Sequence, residues 1–113
     1  MGMLLRSFRL IEAVAVMVAL CVPSPAGADA SAGRQKAAMC AVCHGLDGLA
    51  KQPDAPHLAG ESPIYLTRQL EAFRSGERKH EQMSIIAQGL TDEDIADLAD
   101  WYSSLKITVT VPQ

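Results

Sequence analysis

The stretch Cys40-Ala41-Val42-Cys43-His44 constrains this chain more than any other. Two thiols separated by two residues and followed at once by a histidine have the spacing of a c-type haem attachment site. On one turn of backbone the two sulfurs sit about as far apart as the two vinyl groups of a haem, so each can close a thioether. The adjoining imidazole can then reach under the ring as the proximal iron ligand. A chain built on this motif is expected to fold as a wrapper around one flat, covalently held cofactor, haem c, fixed through Cys40 and Cys43 with His44 beneath the iron.

Residues 1–28 read as an export signal. Arg6 and Arg9 form a basic start, an apolar run follows over residues 13–22, and Pro23 and Pro25 break it. Ala26-Gly27-Ala28 then offers the small residues of a cleavage site. The apolar run is shorter than the roughly 20 residues a membrane-spanning helix needs, so no stable membrane insertion is expected once the leader is removed. An uncleaved interfacial anchor is the alternative. Cys21 falls in the leader behind Leu20, where a lipidated cysteine would need a small neighbour. Cleavage after Ala28 leaves residues 29–113 as one small domain with Cys40 and Cys43 as its cysteines. A disulfide across so short a spacer would close a very small loop and restrain little of the unfolded chain.

Of 10 basic and 13 acidic residues, the leader removes Arg6, Arg9 and Glu12, which leaves 8 against 12 and a net charge of −4. That balance argues against nucleic acid, which asks for a clustered basic face. It suits an exported, periplasmic protein whose encounters are steered by charge. A domain this small buries little apolar surface of its own, and an internal haem would add the missing hydrophobic volume.

The pattern along the chain is all-α. A short helix is expected over residues 29–39, capped by Ser31 and running into the haem motif. Residues 45–61 carry Gly48, Pro53, Pro56 and Gly60 with little periodicity, a loop long enough to have a task such as wrapping a cofactor. Ser62-Pro63 starts a second helix, with Leu66, Leu70 and Phe73 on one face, and Gly76 stops it. Residues 78–82 are polar loop, and residues 83–88 form a helical turn before Gly89. The last helix opens on a capping box of Thr91 and Asp94. Its Ile95, Leu98, Ala99, Tyr102 and Leu105 share one face with the acids opposite. Residues 107–111 read as a tail.

Four side chains compete for the sixth position on the iron. Met39 abuts Cys40 on the proximal element and is expected to pack in the core. His57 follows the motif too closely to leave the proximal side. Met83 lies past one helix from His44, far enough to come round the opposite face, and is the expected distal ligand. His80 is its competitor in the same polar loop. The proximal histidine also needs an acceptor for its second nitrogen, commonly a backbone carbonyl, and the proline-containing loop is its natural source.

With these residues in place the chain resembles a class I cytochrome c, most nearly the small bacterial periplasmic kind and single halves of the dihaem kind. The resemblance spans residues 32–105. It rests on Cys40-Ala41-Val42-Cys43-His44-Gly45, on Pro56-His57-Leu58-Ala59-Gly60, and on Tyr65, Leu66, Gln69, Leu70, Phe73, Gly76 and Arg78. Met83 and the run from Leu90 to Ala99 complete it. It implies three main helices plus long loops around one haem, with His44 proximal, Met83 distal and the Pro56 carbonyl orienting His44. It also implies that the N- and C-terminal helices cross, with Tyr102 at the crossing or near the haem.

The expected function is that of a periplasmic electron carrier rather than an enzyme. It would shuttle single electrons between redox proteins, a donor dehydrogenase or membrane complex and an acceptor oxidase or reductase. A haem subunit of a periplasmic dehydrogenase or oxidase complex is the alternative. A peroxidase-like site would need an open iron with His80 as its acid–base group. A zinc site would need four tetrahedral ligands, for which Cys43 and the adjacent His44 make an awkward pair. A thioredoxin-like dithiol lacks its βαβ setting.

Overall fold

Helix follows helix throughout the computed structural model, which describes residues 27–113. The order is α1 (Ala30–Lys36), a 3-10 turn (Ala37–Met39), α2 (Ala41–His44), α3 (Pro63–Ser75), α4 (Met83–Gln88) and α5 (Asp92–Ser104). No strand occurs among the described residues. Apart from its last two residues, the leader expected over residues 1–28 lies outside them.

The first helix departs from expectation in three ways. Its cap is Asp29, not Ser31: the Asp29 carboxylate accepts from the Ser31 N–H at 2.8 Å, because the extended residue just before a helix is the one whose side chain can reach back to it. The helix also ends at Lys36, and residues 37–39 tighten into a 3-10 turn. That tighter winding aligns Ala37, not Met39, with the core. Ala37 is fully buried while Met39 is 57 % exposed, so Met39 is not the core residue its type suggested.

The two long helices start where the sequence places them. The Ser62 side chain caps α3 with Pro63 in its first turn, and Gly76 ends it in the left-handed conformation. Thr91 and Asp94 close a reciprocal capping box on α5, at 3.1 Å and 2.9 Å. Arg74 ties the two together, donating to the Leu90 carbonyl at 3.0 Å and to Asp92 at 2.6 Å. Leu66, Leu90, Ile95, Leu98, Ala99 and Tyr102 join Ala37 in one core, with Leu58, Leu70 and Leu105 packed against it.

The crossing of α1 over α5 fixes the fold. At Gly33 a Cβ would overlap the Asp97 carbonyl oxygen and lie 2.8 Å from the Trp101 Cβ, so only a bare backbone allows this approach. Arg34 lies over the Trp101 ring at 5.9 Å. Asp97 was expected among the solvated acids of α5, yet it is 2 % exposed. It turns inward because partners await it: Lys36 Nζ donates to its Oδ2 at 2.6 Å and the Asp29 N–H to its Oδ1 at 2.8 Å. Lys36 also reaches Asp94 at 2.9 Å.

These contacts make the crossing acid-sensitive. The Lys36 ammonium and then the Asp29 N–H hold Asp97 below the usual carboxylate range. The Thr91 N–H and then Lys36 hold Asp94 at about 2. Both folded-state values lie below the ordinary ~3.9 of an unfolded aspartate. Their stabilisation is therefore present above about pH 4 and is lost as pH falls towards 2. The denaturant midpoint is expected to drop over that window in the parent protein and to drop less in Lys36→Met. Equal slopes for the two would show that the crossing does not depend on this pairing.

Candidate haem site

The cysteine pair and histidine occupy a single tight turn. Cys40 precedes α2, and its carbonyl accepts from the N–H groups of Cys43 at 3.3 Å and His44 at 2.9 Å. Both thiols are free and half-buried on the same short segment. Before a haem is attached, burial pushes the Cys40 thiol up from its ordinary value. Gly45 then ends the turn at φ 75°, where any side chain would be strained and would meet Asp47 and the Leu49 carbonyl.

His44 is 8 % exposed, and its Nδ1 lies 2.9 Å from the Pro56 carbonyl oxygen. A carbonyl only accepts, so Nδ1 carries the proton, and Nε2 is left with its lone pair for a metal. The loop that delivers Pro56 is held at both ends. The Lys51 N–H donates to the Cys43 carbonyl at 2.7 Å and the Leu58 N–H to the Gly48 carbonyl at 2.8 Å. His57, the candidate near the motif, closes this loop, with its Nδ1 accepting from the Ala50 N–H at 2.8 Å.

The end of α5 clasps the same loop. The Tyr102 hydroxyl donates to the Gly45 carbonyl at 3.1 Å, and the Tyr102 carbonyl accepts from the Gly60 N–H at 2.9 Å. Burial and then the neighbouring Cys40 push the Tyr102 phenol well up, so it stays a neutral donor. From the residue just before Tyr102, the Trp101 indole N–H donates to the Leu46 carbonyl at 3.1 Å.

Met83 is the first residue of α4 and is half-buried. Its competitor His80 is exposed, and its ring is already engaged: Nδ1 accepts from the Gln82 and Met83 N–H groups, each at 3.3 Å. The His80 N–H in turn donates to the Ser84 hydroxyl at 3.0 Å. The ring edge stands against Phe73 with centroids 6.4 Å apart, and Arg78 covers Phe73 at 4.6 Å. His80 thus acts as the side-chain cap of α4 and sets the backbone that carries Met83.

The donors suit a haem. Among the described residues no three His, Cys, Asp or Glu side chains gather into a cage for a bare ion. What the site offers is two neighbouring thiols, an oriented imidazole with Nε2 free, and a thioether on a separate element. Sequence reasoning missed Asp97, Trp101 and the capping role of His80. The cap alone left a trace in the sequence, a histidine three residues ahead of a helix start that lacks Ser, Thr, Asp or Asn.

The family model described as "Cytochrome c" matches residues 30–106. Cytochrome c-554(548) of Halomonas halodenitrificans is 48 % identical over 79 residues, which cover 67 % of this chain and 95 % of the relative. The solved structure of reduced cytochrome c4 from Pseudomonas stutzeri is 39 % identical with a TM-score of 0.67, over 74 % of this chain and 48 % of that one. The solved thiosulfate dehydrogenase from Marichromatium purpuratum is 38 % identical with a TM-score of 0.64, over 68 % of this chain and 19 % of that one. The chain therefore spans nearly all of one relative but about half or less of the two solved ones. With this fold, this match and this pair of thiols, the chain belongs to the cytochrome c family and carries one haem c, held covalently by Cys40 and Cys43.

Proposed function

We propose that the chain is a periplasmic carrier of single electrons, with His44 and Met83 as the axial ligands of its haem. Bound in this way, haem iron alternates between ferrous and ferric states, and a thioether opposite an imidazole raises its potential. The observation that carries the reading is His44: buried, directly after the cysteine pair, and oriented by the Pro56 carbonyl at 2.9 Å so that Nε2 is the coordinating atom. Cys40 and Cys43 fix the ring, the clasped loop holds the Pro56 carbonyl against His44, and α4 presents Met83. The reading asks no side chain to transfer a proton. Partners would be redox proteins docking briefly through a small interface.

The exported protein, made in a host able to attach haem, is expected to give a visible spectrum that changes on reduction. After denaturation the colour is expected to stay with the polypeptide through acidic acetone. Colour released into the acetone, or absent altogether, overturns the reading.

The alternative is a haem subunit of a larger periplasmic complex, and the likeness to one fifth of a thiosulfate dehydrogenase chain favours it. A stable assembly on size-exclusion chromatography of the protein from its own cells decides for the subunit, and a lone small species for the free carrier.

A further inference from the structure

Lys36 is shared by two carboxylates. Its Nζ lies 2.6 Å from Asp97 and 2.9 Å from Asp94, so one positive charge faces two negative ones at the α1–α5 crossing. Asp97 is the buried member, and its second oxygen has a single partner, the backbone nitrogen of Asp29 at 2.8 Å. As an amide that nitrogen is a neutral donor. As a chain terminus it would be an ammonium, and would supply the charge the cluster lacks.

We propose that Ala28–Asp29 is the processing site of the chain and that the α-ammonium released there is the built-in partner of the buried Asp97. This rests on the export reading of the leader. Cutting is a hydrolysis: the bond from the Ala28 carbonyl carbon to the Asp29 nitrogen breaks, water gives its hydroxyl to the carbonyl, and the amine takes a proton. Asp29 keeps its other task, since its carboxylate caps α1 through the Ser31 N–H. The geometry also selects among the cuts the sequence allows. Ala26-Gly27-Ala28, Ala28-Asp29-Ala30 and Ala30-Ser31-Ala32 all offer small residues, but a cut after Ala30 or Ala32 would remove the α1 cap and Asp97's partner together. Other charged groups face the position too: Arg68 and Glu71 of α3 and Asp100 of α5 line the groove in which Ala28 lies. They remain when Ala28 is present, so they do not supply the missing charge.

The test compares two haem-loaded proteins, one beginning at Asp29 and one retaining Ala28. A charge-assisted bond is roughly twice as strong as a neutral one. The Asp29 form is therefore expected to show about a tenfold larger folding constant at pH 7. The ammonium's folded value is raised above its ordinary ~7.7–8.0, so the advantage is full below about pH 8 and fades as pH rises through the folded value. Alkaline changes common to both proteins cancel in the difference. Asp97→Asn in both backgrounds is expected to erase the advantage. Should that variant fail to fold, the two parent proteins still decide. Equal midpoints at pH 7, or an advantage unchanged at pH 10, overturn the ammonium–Asp97 pairing. The mass of the exported full-length product tests the processing site separately: an N-terminus at Asp29 is expected, and any other N-terminus or an uncut leader overturns it.

Discussion

Replacing Met83 by alanine is expected to lower the reduction potential by a sizeable part of the roughly 0.8 V that axial ligation spans. It should also open the iron to carbon monoxide or cyanide. The thioether favours the ferrous state, and α4 offers no second soft donor, since Ser84, Ile85 and Ile86 follow Met83. His80→Ala is expected to act in the same direction but much more weakly. It removes the cap on the Gln82 and Met83 N–H groups and so loosens the turn, while leaving the sulfur in place. Potentiometry and the far-red sulfur-to-iron absorption band read both. Survival of that band in Met83→Ala would show that another sulfur takes the sixth position, and its absence from the unmodified protein would point to His80.

Gly33→Ala is expected to be among the most destabilising single-methyl changes in the molecule. In an ordinary helix the exchange would gain about 1 kcal/mol of helix propensity. Here the new Cβ overlaps the Asp97 carbonyl, and backbone cannot rotate away as a side chain can. Overpacking of this kind costs about 3 kcal/mol, so the clash wins by about 2 kcal/mol and lowers the melting temperature by on the order of 10 °C. The separation of α1 from α5 would also stretch the Lys36–Asp97 pair at 2.6 Å. Calorimetry of the haem-loaded protein checks it, and an unchanged or raised melting temperature would mean that the crossing has room to spare.

Much of this architecture could be read before any coordinates. Ser62-Pro63 and the Thr91–Asp94 box are local signals, complete within four residues, and the helices begin where they stand. The apolar face of α5 was equally plain, because period alone defines it. Asp97 escaped because an acid on a helix reads as solvated unless its distant partners are known, and Lys36 lies 61 positions away. Gly33 escaped for the same reason: within α1 it looks like a weak helix former, and its value appears only when another backbone arrives. Met39 was misplaced by a change of winding, since a 3-10 turn shifts which residue faces inward. The His44–Pro56 bond joins a turn to a loop, and no periodicity encodes which carbonyl will face the ring.

The Tyr102 clasp is expected to close late in assembly. Its hydroxyl meets Gly45 across 57 positions of chain, and its carbonyl meets Gly60. Long closures of this kind form late, because their entropy must be overcome before the contact rewards it. Synthesis delivers α5 after every other described helix, so the seam over the cysteines stays ajar until then. An attaching enzyme would find both sulfurs within reach on a nascent, half-folded chain, and the final helix would shut the door behind the porphyrin.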